Sequence, residues 1–263
     1  MTTSSAPSAS GGTGASRLPG TALVTGASRG LGAVIARRLA AGGHPVAVAY
    51  RSGTEAALRV VTDIRAAGGT AEAFAADVTD EAAVTGLVAD AADRLGPVSV
   101  LVANATGPQP LTEPDAVTWQ DHLDQLTFFV KSPTLLMQAV LPAMREHGAG
   151  RIIQIGSDVL ERALPEMSPY VAAKAAQHAL TEIWARALGP YGITVNTVAP
   201  GWIPVERHAD ATPEALASYA AGVPLRRMGR PEDVAAAVAF LASPAAGFVT
   251  GERVKVNGGH TLG

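Results

Sequence analysis

A chain of 263 residues, of which 48% are hydrophobic and 16% charged, can bury a large core, which excludes an intrinsically disordered protein. The net charge of -3 without a long basic run predicts no binding to nucleic acid, and no apolar run approaches the ~18 residues that a membrane span needs. The absence of cysteine excludes disulfides and cysteine-ligated zinc. Because the start of the chain does not resemble a signal peptide, we predict a cytoplasmic protein.

The first residues differ in composition from the rest of the chain. Residues 1–19 are rich in Ser, Thr, Gly and Ala and contain a single Leu, so they bury too little apolar surface to offset the entropy of ordering. We predict a disordered tail over residues 1–19 and one folded domain over residues 20–263.

From Thr21 onward, short β-branched runs alternate with longer amphipathic segments rich in Ala and Leu. This alternation is typical of βαβ units. It predicts a single α/β domain of the Rossmann type, doubly wound, with a seven-stranded parallel sheet and helices on both faces. The strands are predicted near Ala22–Thr25, Pro45–Tyr50, Ala71–Ala75, Val98–Ala103, Arg151–Gly156, Thr194–Val198 and Arg253–Val256. The helices are predicted at Leu31–Ala41, Thr54–Ala67, Asp80–Leu95, within Asp115 to Glu146, and at Pro169–Leu188 and Pro231–Leu241.

A glycine-rich segment connects the first strand to the first helix, with the sequence Gly26-Ala27-Ser28-Arg29-Gly30-Leu31-Gly32. Gly26 permits a tight turn, Gly30 lets the backbone approach a ligand, and Gly32 lets the helix pack on the strand. The free N–H groups and the dipole at the start of the helix then favour an anion. The segment predicts a site for the diphosphate of a dinucleotide.

The end of the second strand indicates which dinucleotide binds. An Asp or Glu there would accept a hydrogen bond from the ribose of NAD, but the chain has Tyr50-Arg51-Ser52 and no acidic residue between Gly26 and Glu55. Arg29 and Arg51 are placed to bind the 2′-phosphate of NADP. We therefore predict NADPH as the cofactor.

Tyr170 and Lys174 lie four residues apart on a predicted helix, so their side chains share one face. A free phenol has a pKa of about 10, and a neighbouring ammonium favours its ionised form, which brings proton exchange toward neutral pH. Ser157 directly follows a predicted strand, and its hydroxyl can hydrogen-bond an oxygen on which charge develops. The three residues predict reduction of a carbonyl, in which Tyr170 donates the proton and the carbon takes a hydride.

Residues 202–224 interrupt the alternation of strands and helices. Because this segment leaves the carboxyl end of a predicted strand, where parallel sheets bind ligands, we predict that it is a substrate loop. Arg207 or His208 in this loop can bind an anionic group of the substrate, although such side chains are more often simply exposed to solvent. An apolar pocket for a polyketide-like, cyclic or acyl ketone can form from Trp202, Phe128, Phe129, Met167 and the loop Val205 to Gly222. Core packing explains the two Phe and the Met at least as well.

In the order of these motifs the chain resembles the short-chain dehydrogenase/reductase family, and within it the β-ketoacyl-carrier-protein reductase branch, over Leu18 to Gly259. The family's Thr-Gly-x-x-x-Gly-x-Gly matches Thr25 to Gly32, its Tyr-x-x-x-Lys matches Tyr170 to Lys174, and its Ser matches Ser157. The resemblance implies that Lys174 also binds the nicotinamide ribose. It further implies cofactor contacts from Asp77, Val78, Asn104, Ala105, Pro200, Gly201 and Ile203.

The resemblance also bears on partners. In relatives the segment that matches Val249 to Gly259 helps to build a tetramer, which implies a homotetramer, or a homodimer, for this chain. It implies a small carbonyl substrate, free or bound to a carrier.

The chain departs from the family at three positions. Ala103-Asn104-Ala105-Thr106 has Thr where the family has Gly, and Val205 stands where the family has a Thr near the cofactor. The family's Asn that holds a water behind the Lys is missing, because no Asn lies between Asn104 and Asn196. If the family pattern is aligned on the segment Ala139 to Pro142, the position of this Asn falls on Phe129. If it is aligned on Trp119, the position falls on Leu126. An insertion is therefore predicted between these two registers.

Because of these departures, a second functional class remains an alternative: a non-catalytic protein that binds NADPH for regulation or assembly. The presence of Ser157, Tyr170 and Lys174 together argues against it. A serine hydrolase would need a Gly-x-Ser-x-Gly motif, which is absent, and the six scattered His predict no metal site. The sequence therefore favours an enzyme, an NADPH-dependent ketoreductase.

Overall fold

The computed structural model describes residues 18–262, so most of the predicted tail over residues 1–19 lies outside the described residues. One parallel sheet has the strand order β3-β2-β1-β4-β5-β6-β7. Its strands are β1 (Thr21–Thr25), β2 (Val46–Tyr50), β3 (Ala71–Ala75), β4 (Val98–Ala103), β5 (Gly150–Ile155), β6 (Ile193–Pro200) and β7 (Arg253–Val256). The predicted seven-stranded parallel sheet of the Rossmann type is confirmed.

Helices cover both faces of the sheet, which is why every residue of β1, β2, β5 and β6 is buried. The helices are α1 (Gly30–Ala41), α2 (Thr54–Ala66), α3 (Glu81–Leu95), α4 (Trp119–Leu126), α5 (Ser132–His147), α6 (Ser168–Leu188), α7 (Pro213–Gly222) and α8 (Pro231–Ala242). On one face α1 packs between α2 and α8, and on the other α3 and α5 pack together, with α6 against β6.

The chain order of the strands creates a crevice in the middle of the sheet. The chain runs from β1 outward to β3 and then returns to place β4 on the other side of β1. The connections that leave β1 and β4 therefore diverge to opposite faces. In doubly wound folds this switch point is where ligands bind, at the carboxyl ends of the strands.

The fourth helical region begins later than predicted and contains an irregular turn. Thr118 and Asp121 form a capping box at its start, so the helix begins at Trp119 rather than at Asp115. A π-helical turn, Thr127–Lys131, then joins α4 to α5. A π turn accommodates one inserted residue, and it lies in the interval where an insertion was predicted.

By length and composition alone, the helical stretch Trp119–His147 is apolar enough to cross a membrane, with a mean hydropathy of 1.2 over its most apolar window. Core helices have the same composition, and this stretch packs on β4 and α6. It is therefore weak support for a membrane span.

Candidate active site

A cleft of about 900 Å³ opens at the carboxyl ends of the strands, at the switch point between β1 and β4. Every residue that the sequence predicted to contact the cofactor lines this cleft: Gly26, Ser28, Arg29, Gly30, Leu31, Gly32, Tyr50, Arg51, Ser52, Asp77, Val78, Asn104, Ala105, Tyr170, Lys174, Pro200, Gly201 and Ile203. The tertiary structure thus brings residues from five strand ends and from α6 to one surface.

The start of α1 forms one wall of the cleft. Gly26 and Gly30 have φ angles of 63° and 57°, in the left-handed region that favours glycine. A Cβ atom on Gly32 would lie 2.4 Å from the carbonyl oxygen of Gly26, so only glycine fits there. The first turn of α1 carries no acidic residue and no side-chain cap. Its backbone N–H groups are therefore suited to an anion from outside the helix.

A hydrogen-bond cluster under this wall joins the loops after β1 and β4. The buried Thr25 hydroxyl accepts hydrogen bonds from the backbone N–H groups of Asn104 and Ala105, each at 3.0 Å, and donates to the carbonyl oxygen of Val102 at 3.3 Å. The Asn104 amide donates to the carbonyl oxygens of Thr25 and Gly26 at 2.8 and 3.3 Å. These hydrogen bonds hold the glycine loop in place. They are present although Thr106 stands where the family pattern has a Gly.

At the outer end of the cleft, Arg51 lies 3.6 Å from the carboxylate of Asp77, and both side chains are partly exposed. The Thr79 hydroxyl and N–H donate to Asp77 at 2.7 and 2.9 Å. These hydrogen bonds, with a smaller contribution from Arg51, lower the pKa of Asp77. Arg29 lines the same cleft.

Tyr170 and Lys174 lie on α6, and only 8% and 4% of their surfaces are exposed. The Lys174 ammonium donates hydrogen bonds to the carbonyl oxygen of Ile155 at 2.7 Å and to Oε1 of Gln177 at 3.1 Å. Its nitrogen lies 5.7 Å from the centre of the Tyr170 ring. The i, i+4 spacing thus places both groups on one face, as predicted, and that face lines the cleft.

The structure decides between the two registers for the missing Asn. The Phe129 ring lies under the Lys174 ammonium, with 3.7 Å between the nitrogen and the ring centre, and meets the Tyr170 ring edge-to-face at 5.4 Å. Leu126 packs at the border of the same small apolar cluster. Phe129, on the π-helical turn, is therefore the residue that contacts the Lys174 ammonium.

Ser157 is half-buried beside the cleft and is not among the described residues that line it. Its hydroxyl accepts a hydrogen bond from the N–H of Val159 at 3.2 Å and caps a 3₁₀ turn, Asp158–Glu161. Arg253 of β7 holds this turn by donating to the Ser157 carbonyl oxygen and to Glu161. The hydrogen bonds from Arg253 and Lys255 lower the pKa of Glu161 to about 2.

The predicted substrate loop, residues 202–224, lines the cleft with Trp202, Ile203, Val205, Glu206 and His208, while its later residues lie outside that lining. It contains a 3₁₀ turn, Glu206–His208, and the helix α7. The Trp202 ring meets Tyr219 of α7 edge-to-face at 5.4 Å, and the Trp202 N–H donates to the Tyr219 hydroxyl at 2.9 Å. The side chains predicted to form an apolar wall, Trp202, Phe128, Phe129 and Met167, all line the cleft.

Three residues of the site were not singled out by the sequence. Gln177 follows Lys174 by three residues on the same helix face, a spacing that could have indicated it. Arg162, which lines the cleft, follows the Ser157 turn. Glu206 carries no local signal, since its carboxylate contacts Gly30, 176 residues earlier in the chain.

Within residues 18–262 no three His, Cys, Asp or Glu side chains are grouped closely enough to hold a metal ion. The absence of a metal site stays a prediction.

Comparison with known proteins gives consistent matches along the chain. A family model described as enoyl-(acyl carrier protein) reductase matches residues 26–261. The 3-oxoacyl-(acyl-carrier-protein) reductase FabG of Staphylococcus aureus is 38% identical over 240 residues, which covers 90% of this chain and 96% of that protein.

Two solved structures have the same fold. A double mutant of a Serratia marcescens short-chain dehydrogenase/reductase gives a TM-score of 0.86 at 36% identity and covers 93% of this chain and 98% of its own. A 3-oxoacyl (acyl-carrier-protein) reductase from Agrobacterium tumefaciens, solved with NADP bound, gives 0.84 at 37% identity over 92% and 94% of the two chains.

Proposed function

The chain belongs to the short-chain dehydrogenase/reductase family, and on that premise we propose that it is a ketoreductase that uses NADPH to convert a ketone into a secondary alcohol. Membership makes it an NAD(P)-dependent oxidoreductase. The proposal adds the preference for NADPH, the direction toward the alcohol, and Tyr170 as the proton donor.

The observation that carries the proposal is one continuous cleft that contains both the glycine loop and the pair Tyr170 and Lys174. The cleft fits a dinucleotide phosphate. The first turn of α1 offers N–H groups without an acidic neighbour in its own sequence. At the outer end Arg29 and Arg51 supply the charge that a 2′-phosphate needs, and Tyr50 and Ser52 complete that wall.

Reduction of a ketone requires a hydride at the carbon and a proton at the oxygen, and bound NADPH supplies the hydride. Tyr170 donates the proton from its phenol. Lys174, held by Ile155 and Gln177, stands beside the phenol and favours the phenolate that remains. Ser157 lies beside the cleft and not in its lining, and we propose that its hydroxyl donates to the oxygen of a bound substrate, since the hydroxyl oxygen already accepts from the N–H of Val159.

We propose a small carbonyl compound, free or carrier-bound, as the substrate. The name of the Staphylococcus aureus relative describes a carrier-bound 3-oxoacyl substrate. The apolar wall formed by Trp202, Phe128 and Met167 suits a polyketide-like, cyclic or acyl ketone.

A non-catalytic NADPH-binding protein is the second candidate, and one observation favours it. Phe129 occupies the place beside Lys174 where the family holds a water on an Asn. Such a protein would bind NADPH and regulate or assemble with a partner without oxidising the cofactor.

The test is NADPH oxidation by the full chain against a panel of ketones that includes a carrier-linked 3-oxoacyl mimic and bulky cyclic diketones, with Tyr170→Phe measured in parallel. We expect turnover by the wild type and a loss of about 10²- to 10⁴-fold in the variant, the range of one positioned acid. NADPH affinity should stay within about threefold of wild type, because the variant keeps the ring. Tight NADPH binding by the wild type without turnover of any ketone would favour the non-catalytic protein.

We also propose a cytoplasmic homotetramer or homodimer. Apolar side chains stand exposed on neighbouring helices, Trp119 at 68% on α4 and Ile183 at 63% on α6. Strand β7 is an edge of the sheet, and Phe248 just before it is fully exposed. Such surfaces are typical of subunit interfaces. Sedimentation or light scattering should give two or four chains, and a monomer at micromolar concentration would contradict the proposal.

A further inference from the structure

Arg162 places a positive charge in the cleft, and none of the carboxylates in residues 18–262 forms an ion pair with it. Its half-buried side chain lines the cleft on the turn that follows Ser157, near Leu164 and Met167. Among the described residues no carboxylate lies within 4.0 Å of its guanidinium. Arg51 also lines the cleft, but at the opposite end, and its guanidinium does have a carboxylate beside it, that of Asp77.

The two acidic residues of the turn that precedes Arg162 are bound by other groups. Glu161 forms ion pairs with Arg253 and Lys255. Asp158 is buried, accepts a hydrogen bond from the Asn257 amide at 3.3 Å, and lies 3.6 Å from the His260 ring. Both carboxylates thus bind residues of the C-terminal segment. The two carboxylates of the turn are therefore engaged by other groups, whereas Arg162 lines the cleft.

The backbone and the loop hold Arg162 in this position. Its N–H donates to the carbonyl oxygen of Val159 at 3.1 Å. The next residue, Ala163, has a φ of 47°, a left-handed conformation that costs free energy for a residue with a side chain. The Arg162 guanidinium carbon lies 5.5 Å from the centre of the Tyr219 ring on α7. The charge therefore sits between the turn of Ser157 and the substrate loop.

We propose that Arg162 binds a carboxylate of the substrate, so that the enzyme reduces an oxo acid with an apolar body. A planar guanidinium matches a carboxylate with two parallel hydrogen bonds. A single cation suits a singly charged carboxylate better than a doubly charged phosphate monoester. The apolar body would contact Trp202, Leu164 and Met167, which line the same part of the cleft. This inference rests on the proposed ketoreductase function and narrows its substrate to one class.

The test compares an oxo acid with its own neutral ester. The pairs are phenylglyoxylate with its methyl ester, and 4-oxo-4-phenylbutanoate with its methyl ester, each reduced by NADPH and the full chain. We expect the wild type to favour the acid over the ester at least tenfold in kcat/KM for one pair or both. Arg162→Met should bring this ratio down to about one, and Arg162→Lys should retain part of it, since a charged hydrogen bond remains but the fork is lost.

Arg145→Met is the matched control. Arg145 also lies over a tyrosine ring, 4.4 Å from the centre of Tyr191, but it does not line the cleft. Arg145→Met should leave the ratio of kcat/KM for the acid to that for the ester unchanged. A changed ratio in this control would mean that the removal of any arginine stacked on a ring alters the preference. An equal ratio for the wild type and Arg162→Met in both pairs would overturn the inference, while turnover of any ketone would leave the ketoreductase standing.

A binding measurement separates the two proposals when no ketone is reduced. Calorimetry with NADP present should show that mandelate and 4-hydroxy-4-phenylbutanoate, the carboxylate products, bind the wild type at least tenfold tighter than Arg162→Met. The neutral alcohol 1-phenylethanol should not distinguish the two proteins. Carboxylates that bind both proteins equally, or neither protein, would overturn the role of Arg162 independently of turnover.

Discussion

The Lys174 ammonium lies 3.7 Å from the centre of the Phe129 ring, at one of the two positions where the resemblance to the family implies an Asn. The Ile155 carbonyl and the Gln177 amide oxygen accept hydrogen bonds from the same nitrogen. A ring face, a carbonyl and a side-chain amide thus hold the cation beside Tyr170. In this chain, protein groups therefore hold the Lys174 ammonium in a place where the family resemblance implies a water.

Phe129→Leu should lower kcat because it removes the ring face but keeps an apolar side chain. A desolvated cation–π contact contributes about 1–2 kcal/mol, which corresponds to a loss of about 5- to 30-fold when the ammonium is less well held. Steady-state kinetics with saturating NADPH measure this effect. Phe128→Leu is the control, since Phe128 lines the cleft and its effect should fall mainly on the KM of the ketone. An unchanged kcat in Phe129→Leu would show that the ring does not position Lys174.

Glu206→Gln should tighten NADPH binding. The Glu206 carboxylate accepts a hydrogen bond from the N–H of Gly30 at 3.4 Å, at the start of α1 where we propose that the cofactor diphosphate binds. Two anions at one helix N-terminus repel each other, and the carboxylate's interaction with the helix end is worth about 0.3–1 kcal/mol. We therefore expect a Kd about two- to fivefold lower, measured by NADPH fluorescence at low ionic strength.

Added salt should reduce this difference by screening the two charges. Asp210→Asn is the control, because Asp210 is exposed on the same loop and does not line the cleft. A Kd for Glu206→Gln that is equal to or higher than that of the wild type would contradict the prediction.

Acid should weaken the turn that carries Ser157 and Arg162. The hydrogen bonds from Arg253 and Lys255 lower the pKa of Glu161 to about 2, below its ordinary value of 4.5. A carboxyl whose pKa is lower in the folded state contributes its full stability above pH 4.5 and loses it as the pH falls toward 2. Because the side chain is 25% exposed, we expect a discounted contribution of about 1 kcal/mol.

Urea unfolding at pH 7, 4.5 and 3 measures this contribution. Glu161→Gln should be less stable than the wild type at pH 7, and the gap should shrink by pH 3. Asp90→Asn, an exposed change on α3, should show no such gap at any pH. A gap that stays constant with pH would mean that the carboxylate charge does not stabilise the turn.

Thr25→Val should destabilise the domain and weaken cofactor binding together. The change keeps the shape of the side chain but leaves the N–H groups of Asn104 and Ala105 without their shared acceptor. A buried donor without a partner costs about 1–3 kcal/mol, so we expect a loss of about 2–4 kcal/mol in the free energy of unfolding. Thr85→Val, which removes an exposed hydroxyl on α3, should change it by about 0.5 kcal/mol or less. Similar losses in both variants would contradict the role of the cluster.

Local patterns were enough to predict the strands and the cofactor end of the cleft. β3, β4 and β7 have the bounds that the sequence predicted, because short strand-like segments between turn residues are recognised without knowing their neighbours. The glycine loop was likewise visible as a spacing at a strand-to-helix junction. The helix α4 begins later than the predicted region, because the capping box of Thr118 and Asp121 fixes its first residue at Trp119.

The sequence by itself therefore determined the fold, the cofactor loop and the pair Tyr170 and Lys174, since each depends on spacings of a few residues. Only the tertiary structure decided that Phe129 contacts Lys174, that Glu206 reaches Gly30, and that Arg162 forms no ion pair with a carboxylate in the described part of the chain. The last point depends on Arg253, 92 residues after the Glu161 that it pairs with. Charge balance and ring contacts of this kind arise from side chains that folding brings together from distant segments, so no local pattern encodes them.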